Sequence, residues 1–166
     1  PAAAGRQDFL FQESLEAADP EIQQLVRLEE ERQARKLVFI ASESICPRPV
    51  REANASVFSN IYAEGYPSWR MTDRRNQRPA DYEHHLPYFR RYADGRYYKG
   101  CDYVNFVETL AQKRCARLFA TDSVPAERLF VNVQPLSGAA ANNAVYTAFV
   151  KPGGTVLGMR LEQGGH

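Results

Sequence analysis

A change of pattern between residues 127 and 159 constrains the fold of this chain more than any other feature. The apolar run at 127–133 is typical of a short strand, and the alanine-rich stretch 138–150 is typical of a helix. The sequence Lys-Pro-Gly-Gly at 151–154 ends the helix pattern, and a buried-strand pattern follows at 155–159. Strand, helix and strand in succession predict an α/β layer with parallel strands. Since so few strands make an incomplete sheet, we expect a fragment or one piece of a split protein.

Composition excludes several classes of protein. The 166 residues include 21 Lys or Arg and 20 Asp or Glu, and this balance does not indicate a nucleic-acid or membrane-surface protein. The longest uninterrupted apolar run, 37–41, is far shorter than the roughly 20 residues of a membrane span. Cys46, Cys101 and Cys115 show no C-x-x-C spacing, which disfavours a disulfide framework or a zinc site and favours a reducing, cytoplasmic setting. We expect no membrane segment and no metal site.

The residues before 127 predict a helical arm, a loop-rich middle and a further helix. Asp19-Pro20-Glu21 supplies an N-cap, a first-turn proline and an early acid, and predicts a helix to about Arg35. A second helix is expected from Pro47–Pro49 to about Phe58. Residues 59–103 hold eight of the nine tyrosines among spaced glycines and prolines, and predict ordered loops and turns. An amphipathic helix is expected from Tyr103 to Ala120. Its predicted apolar face is Val104, Val107, Leu110, Ala111, Arg114, Cys115 and Leu118.

Two motifs carry groups suited to anion binding and proton transfer. The strand–Ser137-Gly138–helix junction suits a phosphate, because the first N–H groups of a helix have no internal acceptor. It is neither G-x-G-x-x-G nor a Walker A loop, and the alternative is an ordinary capped helix. Glu64 stands beside a glycine hinge between Tyr62 and Tyr66 and could carry a proton. The alternative is a solvated acid in a loop of packed tyrosines.

Two further motifs are weaker by themselves. Ser42 directly follows the apolar run 37–41 and could bind a substrate carboxylate or simply cap the next turn. His166 follows two glycines after a predicted strand, where a ring could stack on a flat cofactor. A lone histidine at such a position is more often without such a role.

The order of these motifs resembles the serine hydroxymethyltransferase family. The matching stretches are LVFIASES (37–44), NIYAEGYP (60–67), RYYKGCDYVNFVETLAQKRC (96–115), NVQPLSGAAANNAVYTAFVKPGGTVLGM (132–159) and LEQGGH (161–166). The resemblance covers about Pro20 to His166, apart from an insertion at 68–95. It implies an α/β fold: the N-terminal arm and the opening of the large domain of a fold type I pyridoxal-phosphate-dependent transferase, with an incomplete sheet in this chain.

The resemblance also implies the organisation and the activity. Residues 1–59 would be the helical arm, 60–103 active-site and intersubunit loops, and 104–166 the start of the large α/β cofactor-binding domain. The implied enzyme converts serine and tetrahydrofolate to glycine and 5,10-methylenetetrahydrofolate, with pyridoxal 5'-phosphate as cofactor and tetrahydrofolate as cosubstrate. The alternative among enzymes is a threonine-aldolase-like pyridoxal phosphate enzyme.

Roles for single residues follow from the resemblance alone. Glu64 would handle a proton on the substrate hydroxyl or on the folate, and with Tyr62 would reach the active site of the neighbouring subunit. His166 would stack on the pyridine ring. The implied catalytic residues are Glu64, Tyr62 and His166. The implied cofactor-binding residues are Ser137, Gly138, Ala139, Asn142, His166 and Tyr62. The implied substrate-binding residues are Ser42, Glu64, Tyr98, Tyr97 and Leu161, of which Tyr97 and Leu161 would flank the folate.

The chain departs from the family pattern at several positions. Ala139 replaces a second serine, Lys99 replaces a glycine and Ser44 replaces an asparagine. The insertion at 68–95 mixes arginines with aromatic residues, so it could bind single-stranded RNA or form a packed excursion or an intersubunit flap. We favour the packed forms, and we expect neither nucleic acid nor a membrane as a partner.

A further departure concerns the lysine that forms the Schiff base in this family. The lysines of this chain match no such motif; they are Lys36, Lys99, Lys113 and Lys151. We therefore expect activity only with the remaining C-terminal part of the enzyme, which carries the Schiff-base lysine, and as a homodimer or tetramer that binds serine or glycine and folate.

Overall fold

The structure is a computed structural model that describes residues 13–72, 82–92 and 95–165. These residues form seven α-helices: α1 Leu15–Ala18, α2 Pro20–Arg35, α3 Arg48–Asn54, α4 Trp69–Thr72, α5 Tyr82–Tyr92, α6 Asp102–Leu118 and α7 Gly138–Phe149. Short 3-10 turns lie at Val57–Asn60, Ala126–Arg128 and Leu161–Gln163. The chain divides into two compact units, one up to Ala53 and one from Asn54 onward. None of the helices in the described ranges has the length and apolar character needed to cross a bilayer.

The first unit confirms the helix predicted from Pro20 to Arg35. The carboxylate of Asp19 accepts a hydrogen bond from the backbone N–H of Ile22 at 3.0 Å, as expected of an N-cap. The second predicted helix is shorter than expected and ends at Asn54 instead of Phe58. Ser56 adopts an extended backbone, and its hydroxyl caps the separate 3-10 turn that follows. This local hydrogen bond competes with continuation of the helix.

In the second unit, α6 confirms the predicted helix, but its buried face differs from the predicted one. The buried residues are Asn105, Phe106, Glu108, Thr109 and Ala116. Val107 and Leu118 of the predicted apolar face are exposed. The prediction of that face was wrong at these positions because a buried ion pair and the insertion, not an apolar layer alone, occupy the covered side of α6.

The described part of the insertion packs against α6, although loops were predicted there. Met71, which is 2% exposed, forms a small apolar core with Phe106 and Leu86. The ring of Tyr82 meets the ring of Phe106 edge-on, with centroids 5.0 Å apart. The loop prediction was wrong for α4 and α5, since burial against α6 outweighs the local turn signals. Residues 73–81 and 93–94 of the insertion lie outside the described residues.

The helix predicted after Ser137 is confirmed as α7, whereas the strands predicted on either side of it stay predictions. Within the described ranges no residue is in a strand, and the start of the first predicted strand forms the turn Ala126–Arg128. Phe130 and Leu157, one from each predicted strand, are 96% and 98% exposed. A strand needs backbone partners on a neighbouring strand, and apolar side chains of this kind need a covering layer.

Candidate active site

A tight turn at Gly65 brings the Tyr62–Glu64 loop against the segment that begins at Arg96. Gly65 has a φ of +93°, a conformation that favours glycine. A Cβ atom at this position would lie 3.3 Å from the Cα atom of Arg96, so the glycine also permits close approach. The backbone N–H of Tyr97 donates to the carbonyl of Glu64 at 3.3 Å. The loop and the segment are thus joined next to the predicted proton carrier.

The carboxylate of Glu64 lies between two phenols. The hydroxyl of Tyr62 donates a short hydrogen bond to Oε1 of Glu64, and the hydroxyl of Tyr98 donates to Oε2 at 3.2 Å. The two tyrosine rings are 4.6 Å apart and tilted by 46°. The hydrogen bond to Glu64, and next the one with Tyr98, raises the pKa of Tyr62 above its ordinary value. All three side chains are exposed, so a carboxylate with both oxygens oriented is open to a ligand.

A buried arginine fixes the backbone on both sides of Glu64. The side chain of Arg96 is 1% exposed and pairs with Glu108 on α6, with Nη2 and Oε2 2.5 Å apart. Its Nη1 donates to the carbonyls of Ala63 at 3.0 Å and Gly65 at 2.6 Å. Its Nε donates to Oδ1 of Asn105 at 2.9 Å. A buried ion pair is tolerated when its polar atoms have partners in this way.

Gln134 joins this arrangement to the segment that precedes α7. Its Nε2 donates to the carbonyl of Gly65 and to Oε1 of Glu108, each at 2.8 Å. The backbone N–H of Gln134 donates to the side chain of Asn132 at 3.0 Å, which shapes the segment locally. Sequence reasoning gave no role to Arg96, Glu108 or Gln134. The signal that could have found them is Glu108, an acid at a covered position of α6. Its partners Arg96 and Gln134 belong to the motifs before and after this helix.

The anion cradle predicted from the sequence corresponds to the start of α7. Ser137 is the N-cap, and its hydroxyl accepts a hydrogen bond from the N–H of Ala140 at 3.3 Å. The first intrahelical bond runs from Ala141 N to Ser137 O at 3.1 Å, so the amides of Gly138 and Ala139 belong to the open end of the helix. A Cβ atom on Gly138 would meet nothing within 4 Å. Exposed amides, a hydroxyl and free space suit a phosphate. Ala139 contributes an amide but no hydroxyl.

The remaining predicted site residues are distributed along the chain. Asn142 is exposed on α7, and Tyr97 is exposed beside Tyr98. Leu161 begins the turn Leu161–Gln163, which ends at Gly164 with a φ of +91° and is closed by a hydrogen bond from Gly165 N to Arg160 O at 2.9 Å. This turn leads directly into His166, which lies outside the described residues.

Ser42 belongs to the first unit, where it lies in an exposed turn closed by a 3.0 Å hydrogen bond from Glu43 N to Ile40 O. The structure thus brings Tyr62, Glu64 and Tyr98 together and connects them, through Gln134, with the segment that carries Ser137. Ser42 and Leu161 each lie in a turn of their own.

Comparison with known proteins agrees with these motifs. A sequence model of the serine hydroxymethyltransferase family matches residues 15–74 and 86–166, and leaves unmatched only part of the predicted insertion within that span. Serine hydroxymethyltransferase 3 of Colwellia psychrerythraea is 40% identical over 163 residues, which are 98% of this chain and 30% of that protein. The serine hydroxymethyltransferase of Bifidobacterium adolescentis is 41% identical over 157 residues, 95% of this chain and 29% of that protein.

A third relative, the serine hydroxymethyltransferase of a Jannaschia species, is 41% identical over 164 residues, 99% of this chain and 30% of that protein. The chain therefore spans about 30% of the length of the curated relatives it matches. The family match and these relatives cover the Glu64 loop, the Arg96 segment and the start of α7. The chain belongs to the serine hydroxymethyltransferase family, whose members are fold type I pyridoxal-phosphate enzymes.

Proposed function

We propose that this chain is the part of a serine hydroxymethyltransferase that holds the cofactor phosphate and supplies the acid–base carboxyl. The proposed reaction of the whole protein is the conversion of serine and tetrahydrofolate to glycine and 5,10-methylenetetrahydrofolate. One observation carries the proposal. Glu64 lies between two phenols on a loop that Gln134 joins to the segment of the anion cradle.

The start of α7 fits the phosphate of pyridoxal 5'-phosphate. The hydroxyl of Ser137 and the amides of Gly138 and Ala139 would hold that phosphate, since they combine donors with open space. When bound, the cofactor supplies the electron sink that lets bonds at the substrate Cα break. Asn142 and Tyr62 complete the proposed cofactor set among the described residues, and His166 is proposed to stack on the pyridine ring.

Glu64 would move the proton that the reaction requires. Cleavage of the bond between Cα and Cβ of serine removes a proton from the side-chain hydroxyl, and a carboxylate with oriented oxygens can accept it. Tyr62 and Tyr98 hold both oxygens of Glu64, and a bound substrate would exclude water from this exposed group. Ser42 and Tyr98 are proposed to contact the amino acid, and Tyr97 and Leu161 to flank the folate.

The proposed partners are the remaining C-terminal part of the enzyme, with its Schiff-base lysine, and further copies of the chain in a homodimer or tetramer. The length of the relatives supports the first, because this chain covers about 30% of them. Exposed apolar residues such as Phe130 and Leu157 support a covering layer. A reducing, cytoplasmic setting is proposed from the spacing of Cys46, Cys101 and Cys115 in the sequence.

The test uses the complete enzyme, assembled from this chain and the remaining part. Glu64→Gln should lower the folate-dependent conversion of serine about 100-fold or more, because it removes the proton acceptor while it keeps the shape. Glu127→Gln is the matched control, since Glu127 is an exposed acid in the turn Ala126–Arg128. Equal activity of both variants would contradict the role of Glu64. Cleavage of β-hydroxy amino acids without any folate-dependent activity would favour the threonine-aldolase-like alternative.

A further inference from the structure

We propose that Gln134 is a positioning residue that keeps the phosphate-binding segment and the Glu64 loop in register. The proposal rests on the proposed function and deepens it, because it assigns to Gln134 an effect on turnover that the proposed mechanism does not. Gln134 itself would touch neither cofactor nor substrate. It would act through the backbone segments that carry Glu64 and Ser137.

The geometry is a closed ring of hydrogen bonds. Gln134 donates to Gly65 and Glu108, Glu108 accepts from Arg96, and Arg96 donates back to Gly65. A side-chain amide has two donor hydrogens, and the two acceptors of Gln134, each 2.8 Å away, can use both. The carbonyl of Gly65 accepts from Arg96 and from Gln134, one for each of its lone pairs. The ring therefore specifies an amide at position 134.

The ring lies next to both functional groups along the chain. Gly65 directly follows Glu64, and Gln134 precedes Ser137 by three residues. A displacement of the Gln134 segment relative to Gly65 would thus displace the anion cradle relative to the carboxylate. Misplacement of a reacting group by about 1 Å can cost a factor of about 100 in rate. The ring suits a reaction in which a phosphate anchor and a proton acceptor act on one bound molecule.

The role of Gln134 differs from that of Arg96. Without Gln134, Arg96 still pairs with Glu108 and still donates to the carbonyls of Ala63 and Gly65. The Glu64 loop therefore keeps its main support, and the cradle keeps Ser137 and the helix amides. What is lost is the direct link between the two segments. This predicts a loss in turnover rather than in folding or in cofactor affinity.

The chain offers a matched control. Gln112 on α6 donates through Nε2 to the same Oε1 atom of Glu108, at 3.4 Å, from a different segment of the chain. Gln134→Met and Gln112→Met make the same chemical change, and only the first removes the link to Gly65. Both variants are made in the complete enzyme.

For Gln134→Met we expect kcat for folate-dependent serine conversion to fall by about 10-fold or more, because displacement of a reacting group by about 1 Å can cost a factor of about 100 in rate. The KM for serine and the cofactor dissociation constant should change by less than about threefold, because ground-state binding is retained. Hydrogen exchange in the cofactor-free protein should become faster in segments 62–66 and 132–138. Gln112→Met should match the wild type in all four measurements.

The outcomes separate the two proposals. An inactive wild-type enzyme would overturn the proposed function. An active wild type with equal kcat and equal exchange in the two variants would overturn the role of Gln134 and leave the proposed function standing. A Gln134→Met enzyme that loses cofactor affinity in proportion to kcat would also overturn it.

A second variant covers the case in which Gln134→Met does not fold. Gln134→Asn keeps the amide donors on a shorter stem, so we expect a smaller loss of kcat and intermediate exchange. Wild-type kcat and wild-type exchange in this variant would overturn the proposal.

Discussion

Arg96 illustrates at the level of a single residue how a charge can be buried in a loop-rich region. Its guanidinium serves a carboxylate, a side-chain amide and two backbone carbonyls, and so removes the cost of leaving each of them unpaired. The fixed fork of an arginine matches acceptors in several directions, which the point charge of a lysine does not. The residue therefore supports the site although it faces away from solvent.

Removal of the guanidinium should strongly destabilise the second unit. We expect Arg96→Met to lower the free energy of unfolding by about 3–5 kcal/mol, because Glu108 would remain as an uncompensated buried charge. The double variant Arg96→Met/Glu108→Met should regain part of that loss, since it leaves no charge without a partner. Urea unfolding monitored by circular dichroism would measure both values. A single variant as stable as the wild type would show that the pair is not buried in solution.

The hydrogen bond from Tyr62 to Glu64 should be visible in a titration. It raises the pKa of Tyr62 above the ordinary 10.0, so the neutral phenol is favoured in the folded chain. The stabilisation of the folded state by this hydrogen bond is complete below pH 10, and it is lost as the pH rises through the higher pKa of the folded state. Labelled tyrosine Cζ shifts in NMR should show Tyr62 ionising above pH 10 in the wild type. Glu64→Gln should bring the pKa of Tyr62 back toward 10.0. An equal pKa of Tyr62 in the wild type and in Glu64→Gln would contradict this.

At the level of elements, α2 is stabilised in large part by hydrogen bonds between residues that are close in sequence. Asp19 caps it, and within it Arg32 donates to both carboxylate oxygens of Glu29 at 2.7 Å while Gln33 donates to one of them at 2.8 Å. Hydrogen bonds between side chains three or four residues apart support a helix without tertiary contacts. Such an element is predictable from a short window of sequence.

Acid should weaken α2. The hydrogen bonds from Arg32, followed by the one from Gln33, lower the pKa of Glu29 from 4.5 to about 2. A lowered carboxyl pKa contributes stability above pH 4.5 that is lost as the pH falls from 4.5 toward 2. A carboxyl carbon titration by NMR should place the midpoint of Glu29 near the lower value. Arg32→Gln should move it toward 4.5, and an unchanged midpoint would refute the assignment to the ion pair.

Two of the helices that were predicted correctly, α2 and α7, share one property. Asp19 and Ser137 are N-caps whose hydrogen-bond partners lie three residues away. The starts of α2 and α7 are therefore determined by neighbouring residues in the sequence. The helix α5 was missed because its stability comes from contacts such as Tyr82 with Phe106, and Pro87 inside it is a turn signal. The covered face of α6 was missed for the same reason.

The residues of the candidate site likewise divide into those that the sequence motifs predicted and those that depend on distant partners. Motif order pointed to Tyr62, Glu64, Tyr98 and Ser137, but gave no role to Arg96 or Gln134, whose side-chain partners lie 9 to 69 residues away. The strands remain predictions, because pairing depends on residues distant in sequence or in another segment.

At the level of the whole molecule, the described chain exposes many large apolar side chains. Phe130, Leu136 and Leu157 are each more than 95% exposed, and they lie outside the helices. Together with the length of the relatives, this agrees with the proposed assembly, in which further chain covers these segments.

Assembly should protect these exposed segments from proteolysis. Brief chymotrypsin treatment of this chain alone should cut after Phe130, Leu136 and Leu157, because the protease needs accessible, irregular backbone. In the complete enzyme we expect each cut to slow at least about tenfold, since local opening would then be required. Fragment masses would identify the sites. Equal cutting rates in the two samples would refute burial of these segments on assembly.

The hydrogen bonds of Arg96 around Gly65 also affect the free-energy cost of the insertion. The chain leaves the site at Pro67 and returns at Gly95, where a Cβ atom would lie 3.4 Å from the carbonyl oxygen of Tyr66. The bonds of Arg96 to Ala63 and Gly65 hold these two ends together whatever lies between them. Loop-closure entropy grows only with the logarithm of loop length, so each doubling costs about 0.6 kcal/mol. Lengthening the segment at the base of the insertion therefore costs little loop-closure entropy and leaves Glu64 in place, provided that the contacts of Met71 and Leu86 with Phe106 are kept.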